Sequence, residues 1–343
     1  MGIYYTLGEK VSIITKFIKK IVKMLSMRDL TKLDPKDKRL IAELDFNSRA
    51  SLSELSKKLK LSREAVNYRI KRLTFSGFIR SFVTHIDLTK FDYDIYTVYL
   101  KFGIMNEKKE KEVIDYLRNI PTLNWSAVVG GRFDFILEFP AKNIREFQKR
   151  RVEIINKFPN TFVKHEVSIF TFQQRLNRRY LYPIKDRIRT SIESIEKLSK
   201  KDEQILAVLK YNSRLPVSEI SKMTKIPNST VAMRIKKLKQ TGVIKDFSIL
   251  FNPAKMEYHN YKSCISLSKH SDKIYNQIKT FCEENPHVVY YISCIGRWDY
   301  EIDFEVENHT VYRRCLRDFQ NLMGDSLSDI ETLEIFNSFR FNL

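Results

Sequence analysis

Cysteine is scarce in this chain and confined to its second half: Cys264, Cys282, Cys294 and Cys315 form no Cys-x-x-Cys pair and cluster with no histidine. That excludes a disulfide-stapled scaffold and a zinc-ribbon site, and points to a reduced, cytoplasmic chain for which no metal and no cofactor is expected. Glycine and proline number only nine each in 343 residues, so little of the length is left for low-complexity linker. A long uninterrupted apolar run is also missing. The N-terminal stripe of Ile13, Ile14, Phe17, Ile18, Ile21, Val22 and Leu25 is broken by Lys16, Lys19, Lys20 and Lys23, so no membrane span is expected. Residues 1–30 are read as a basic amphipathic helix that packs on a neighbouring domain or subunit. A helix lying on a membrane surface is the alternative, and Gly2 with Thr6 fits the short myristoylation pattern. Acidic residues are the minority, 41 against 61 Lys and Arg, and the net charge of +20 calls for a polyanionic partner, nucleic acid or an anionic membrane surface.

What is present is a duplication. Leu33-Asp-Pro-Lys-Asp37 aligns with Leu198-Ser-Lys-Lys-Asp202 at an offset of 165, and the register holds through Asn47-Ser48-Arg49 with Asn212-Ser213-Arg214, Arg69-Ile70-Lys71 with Arg234-Ile235-Lys236, and Gly77 with Gly242. It still holds at Gly131-Arg132-Phe133-Asp134 with Gly296-Arg297-Trp298-Asp299. Matches spread over about 100 residues cannot come from one short motif. The copies run over 33–172 and 198–341, with 173–197 as a partly helical connector.

Each copy opens on three helices. In the first, Leu40, Ile41 and Leu44 give one helical face after Asp34-Pro35; Ser51, with Glu54 at capping-box spacing, opens a second helix; Leu61-Ser62 opens a third whose inward face is Val66, Ile70 and Leu73, and Gly77 ends it. Phe78 to Val83 alternates as a strand, read as a wing. In the second copy Pro227 replaces Ser62. The rest of each copy follows strand, helix, strand, strand, helix, strand. The strands are expected near 95–103, 123–130, 133–139 and 162–172, then 260–268, 287–295, 298–306 and 328–340. Helices are expected near 107–118, 142–157, 271–284 and 308–322, a ferredoxin-like α+β order. The expected domains are therefore 31–90 and 198–255 as winged helix-turn-helix units, 91–172 and 256–343 as α+β units.

A winged helix-turn-helix followed by a βαββαβ domain, with Leu33-Asp34…Asp37, Asn47-Ser48-Arg49, Leu61-Ser62, Arg69-Ile70-Lys71-Arg72-Leu73, Gly77-Phe78-Ile79 and Gly131-x-x-Asp134 in order, resembles the Lrp/AsnC family of transcription regulators, here fused as two copies. The resemblance implies binding of double-stranded DNA, self-association through the α+β domains, and a small effector, often an amino acid, near the Gly-x-x-Asp turns. Two departures stand out. The family's glycine at the end of the wing is absent, with Asp92 and Tyr258 or His259 near that place, and the second copy's third helix carries a less charged outer face.

With Val66, Ile70 and Leu73 inward, helical period turns Arg63, Glu64, Asn67 and Lys71 outward; Arg63 suits guanine edges and Asn67 adenine. Asn228, Ser229 and Ala232, with Lys236, occupy the equivalent face, and Arg72 and Lys237 are phosphate candidates. Arg69 and Arg234 flank the apolar face and are read either as phosphate contacts or as salt bridges to Glu54 and Glu219. Residues 33–82 hold 12 Lys and Arg against 6 Asp and Glu, and residues 198–247 hold 11 against 4, so both units are locally basic. At the turns, Gly131 and Gly296 permit tight geometry, and Asp134 and Asp299 either accept from an effector ammonium or cap the turn. No catalytic residue is expected. The competing reading, a tetrapyrrole-modifying enzyme resembling siroheme decarboxylase, would call for His, Tyr and Arg together in the middle strands, which here read Trp125-Ser-Ala-Val-Val-Gly and Tyr290-Tyr291-Ile-Ser-Cys-Ile-Gly with six dispersed histidines.

Overall fold

The computed structural model describes residues 32–104, 106–120, 122–184 and 197–339. The expected basic helix at 1–30 and residues 185–196 of the connector lie outside them. Among the described residues no helix is long and apolar enough to cross a membrane.

Three helices open the first copy: α1 (Pro35–Phe46), α2 (Leu52–Leu59) and α3 (Arg63–Phe75). Asp34 caps α1 in a reciprocal box with Asp37, and Pro35 fills the first turn, where no backbone donor is needed. Ser51 caps α2 through the Glu54 amide, but the Glu54 carboxylate turns to Lys58 at 3.1 Å instead of closing the expected box. Ser62 caps α3 through the Ala65 amide. The second copy repeats the layout as α6 (Lys200–Tyr211), α7 (Val217–Thr224) and α8 (Asn228–Gln240), with Pro216 and Pro227 at N-cap positions that lack a side-chain cap. Both second helices end on a left-handed lysine, Lys60 at φ 54° and Lys225 at φ 56°. A side chain is strained there and glycine is not. Lys60→Gly and Lys225→Gly are each expected to raise unfolding stability by about 0.5–1 kcal/mol, read from urea midpoints; loss of stability would show that these lysines make contacts that outweigh the strain.

The strand expected as a wing is β1 (Ile79–Ile86), and it pairs antiparallel with its counterpart β6 (Ile244–Phe251), so the two units share one ribbon. Short 3-10 turns follow, ending on left-handed Asp92 and Glu257, at φ 63° and 59°. In copy one this left-handed turn falls on Asp92, the residue expected near the end of the wing, and in copy two on Glu257, one residue ahead of Tyr258.

The α+β halves comprise β2 (Asp94–Phe102), α4 (Glu107–Arg118), β3 (Trp125–Gly130), β4 (Phe135–Ala141), α5 (Ile144–Lys157) and β5 (Phe162–Arg175), then β7 (His259–Leu267), α9 (Asp272–Glu284), β8 (Val288–Gly296), β9 (Tyr300–Val306), α10 (His309–Met323) and β10 (Leu327–Phe339). In copy one the strand order is β3-β4-β2-β5, the ferredoxin-like arrangement. The long last strand of each copy crosses to the other, β5 onto β8 and β10 onto β3, and the eight strands close into a barrel. Closure leaves the barrel itself without an edge strand. Tyr99, Phe133, Ile292, Trp298 and Leu333 form an apolar core joining the two halves. β5 continues three residues past its expected end because Phe170 to Arg175 run along β8. Leu181, just beyond it, is buried in the core of the first helix-turn-helix. The chain thus contains within itself the paired α+β domains expected from two subunits.

Candidate nucleic-acid interface

Val66, Ile70 and Leu73 are buried beneath α3, at 0, 7 and 1% exposure. The opposite side of the helix is uncovered: Arg63, Glu64 and Lys71 are exposed and Asn67 is half-buried. α8 repeats this. Val231, Ile235 and Leu238 are buried, while Asn228, Ser229, Ala232, Lys236 and Lys237 are exposed. Sequence reasoning missed one position on that outer face. Tyr68 is 56% exposed and its equivalent, Met233, 58% exposed. Large apolar side chains held in solvent at matching places suit contact with thymine methyl groups; their spacing, one residue past Asn67 and Ala232, was the available signal.

Arg72 is placed differently from expectation. Its guanidinium pairs with the Asp37 carboxylate, whose side chain is fully buried, and Arg69 bonds the same carboxylate at 2.6 Å and Asp34 at 2.7 Å. Burial works against Asp34 ionisation, but the Asp37 amide and Arg69 outweigh it and hold the carboxyl below its ordinary value. The expected partner of Arg69, Glu54, is engaged by Lys58. Arg234 likewise meets Ser199 and Asp202, at 3.2 and 3.1 Å, rather than Glu219. These arginines tie the third helix to the first. Lys237, at the position equivalent to Arg72, remains exposed.

The repeated Asn-Ser-Arg motif holds the two units together. Ser48 and Ser213 hydroxyls meet at 2.7 Å, both buried, on the local two-fold. Arg49 donates to the carbonyls of Ser213 and Leu215, and Arg214 to those of Ser48 and Ala50. Each guanidinium also stacks on a ribbon aromatic from the other copy, Arg49 on Phe247 and Arg214 on Phe82. Asn47 and Asn212 shape the turns by accepting from the arginine amides. Because one reciprocal clamp fixes both units, the relative placement of α3 and α8 is built into the chain, which is what reading two half-sites requires. Its signal in the sequence was polar residues repeated at a turn with no core role.

At the Gly-x-x-Asp turns the aspartates cap. Asp134 accepts from the Phe102 amide at 2.7 Å and Lys101 at 2.8 Å, and Asp299 accepts from the Leu267 amide at 2.7 Å. The glycines have a packing reason: a Cβ on Gly131 would stand 3.0 Å from the Thr332 carbonyl oxygen, and one on Gly296 only 2.4 Å from that of Val167, both on the crossing strand of the other copy. Two histidines dispersed in sequence do converge, His259 and His309 with ring centroids 4.8 Å apart beside Tyr261. Among the described residues, no group of His, Cys, Asp and Glu could hold a metal ion.

The AsnC-type helix-turn-helix domain model matches residues 33–74, and the winged helix-turn-helix DNA-binding model matches residues 198–245. An uncharacterized HTH-type transcriptional regulator of Pyrococcus furiosus is 34% identical over 122 residues, covering 35% of this chain and 81% of the relative. The HTH-type transcriptional regulator FL11 of the same organism is 28% identical over 130 residues, 38% of this chain and 82% of the relative. The crystal structure of the siroheme decarboxylase NirDL superposes with a TM-score of 0.60 over 90% of this chain and 94% of that one, at 13% identity. That last likeness is one of fold.

Proposed function

The chain belongs to the Lrp/AsnC family of HTH-type transcription regulators, and on that premise we propose that it binds double-stranded DNA as a built-in dimer, α3 and α8 each entering a major groove. The observation that carries this reading is the uncovered outer side of both helices, on basic units clamped about Ser48 and Ser213. Arg63 and Asn67 are assigned to base edges in one half-site, Asn228, Ser229 and Ala232 to the other. Glu64, Lys71 and Lys236 border these faces, and Lys237 takes phosphate; Arg72 can act only while holding Asp37. Since the two faces differ, the operator has unlike half-sites. Selection from pooled random DNA tests this, and recovery of two identical half-sites would refute it. Arg63→Ala is expected to cost about 1–3 kcal/mol at the selected site and little on random DNA. Equal loss on both would reassign Arg63 to phosphate.

One observation favours the enzyme reading: beneath the ribbon, a cavity brings together His85, Arg80, Tyr261 and Tyr290, which the sequence scatters. Charge weighs against it. Glu138, Asp303 and Glu305 line the same space, and Arg178, its other arginine, is bonded to Glu305 and Asp45, a poor setting for a polycarboxylate tetrapyrrole. A regulator without this chemistry shows no Soret shift with iron uroporphyrin.

A further inference from the structure

Between the β1–β6 ribbon and the near end of the barrel lies a cavity of about 150 Å³. Its ribbon side carries Arg80 and His85, with Arg178 already bonded to Glu305 and Asp45, whereas the barrel side of its polar wall is made of acceptors. Glu138, 7% exposed, and Asp303 line it from β4 and β9, with Asn124 and Asn260 alongside, and the Oδ1 atoms of both asparagines are buried without a donor. Behind this wall lies the buried Lys262, held by Glu301 at 2.9 Å and Asp303 at 2.8 Å, while the buried Arg178 across the cavity is taken up by Glu305 and Asp45. On the barrel side three carboxylates, Glu138, Glu301 and Asp303, therefore have the Lys262 ammonium between them. Buried charge so unbalanced is costly unless a cation arrives or a proton is kept. The remaining wall is aromatic and aliphatic: Trp125, Tyr261, Ile292, Ile335 and Phe336. An inorganic cation has no carbon to bury on that surface, whereas an organic ammonium would lay its carbon body there as well as meet an aromatic face.

We propose that this cavity is a binding site for a small organic amine, its ammonium head taken by Glu138, Asn124 and Asn260 and its aliphatic body laid against Trp125 and Phe336. The site is separate from the DNA-reading helices and from the Gly-x-x-Asp turns. Without a ligand, burial together with nearby Glu301 and Asp303 outweighs Lys262 and the Asn124 hydrogen bond and lifts the Glu138 carboxyl to about 8. At pH 7 it holds its proton. An arriving ammonium ionises it, and the proton leaves to solvent.

The test is calorimetric titration of the full chain with n-butylamine and putrescine, with 1-pentanol as the neutral control, at pH 7 in phosphate and in Tris. Saturable amine binding is expected, with heats that differ between the buffers by the ionisation enthalpy of nearly one proton. Affinity should rise about tenfold from pH 6 to pH 7, because Glu138 ionises only near 8. The rise should be absent in Glu138→Gln, where the other charged or titratable groups facing the cavity, Arg80, His85, Arg178, Asp303 and Glu305 among them, are unchanged. Glu138→Gln should abolish the buffer dependence and weaken binding at least tenfold while leaving salt-dependent DNA binding unchanged. Asn260→Ala, judged on thermal melts to be folded, should also weaken amine binding. No saturation with either amine, equal binding of 1-pentanol, binding indifferent to both substitutions, or a Soret shift with iron uroporphyrin lost in Glu138→Gln would each overturn the proposal. Loss of DNA binding in the wild type would instead count against the regulator reading and leave this one standing.

Discussion

Gly296→Ala is expected to destabilise the fold by about 3–5 kcal/mol, the steepest loss among the glycines of the described residues. Two independent penalties add there. The backbone sits at φ 146°, which an L side chain rarely adopts, and the new Cβ would stand 2.4 Å from the Val167 carbonyl oxygen and 3.1 Å from the Ser168 Cα. Neither neighbour can swing away, because Ser168 pairs with Gly296 in the ladder that joins β5 to β8 and closes one seam of the barrel. The other glycines grade the effect. At Gly131, φ 116°, the nearest atom is the Thr332 carbonyl oxygen at 3.0 Å, so the loss should be smaller. At Gly324, φ 48° and ψ −130°, nothing lies within 4 Å, and only the backbone penalty remains, about 1–3 kcal/mol. Urea denaturation of the three variants should give Gly296 as the costliest and Gly324 as the mildest. If Gly296→Ala and Gly324→Ala differ by less than about 1 kcal/mol, the seam is not the reason for the glycine.

The sequence showed local order well and partnership poorly. Val66, Ile70 and Leu73 were readable as an inward face because helical period is a property of neighbours in the chain, and Ser51 and Ser62 because a cap acts three residues away. Strand ends fell within two or three residues for the same reason. The 165-residue repeat showed that there are two copies but not how they meet. Nothing in one copy says that β1 will pair with β6, that Ser48 will face Ser213, or that β5 will leave its own sheet for β8. Arg72 illustrates the limit: helical period gave its direction only coarsely, and whether a guanidinium at the edge of a buried face reaches solvent or bends back to Asp37 depends on a helix 35 residues earlier. The cavity's His85, Arg80 and Tyr261 were hidden likewise, since they lie on different elements.

The feature least legible in the sequence also breaks the symmetry, and it carries the second large expectation: Asp45→Ala should cost about 3–5 kcal/mol, as when one partner leaves a buried ion pair. Asp45, at the end of α1, is fully buried and accepts from Arg178 at 2.8 Å, Arg175 at 3.3 Å, the Arg178 amide at 3.1 Å and the Ser248 hydroxyl at 3.0 Å. Arg178 reaches on to Glu305 of the barrel, and Arg175 to Asp246 of the ribbon at 3.4 Å. One carboxylate thereby joins helix-turn-helix, ribbon and barrel. At the equivalent positions of the other copy, Lys210 stands for Asp45, Ser81 for Asp246 and Pro140 for Glu305, so this lock is built for the first helix-turn-helix alone. Burial by itself would raise the Asp45 carboxyl, but Arg178 and Arg175 more than offset it and hold it below the ordinary 3.8. A carboxyl depressed on folding contributes fully above its unfolded value and loses that contribution as pH falls through the folded one. The stability gap between wild type and Asp45→Ala should therefore be constant near neutrality and shrink only in acid, below about pH 4. In an Arg178→Ala background the same substitution should cost less by about 1–3 kcal/mol, the coupling expected of groups in one network. Strict additivity would mean that Asp45 and Arg178 act separately, and the barrel would then have no ionic hold on the helix that precedes the reading head.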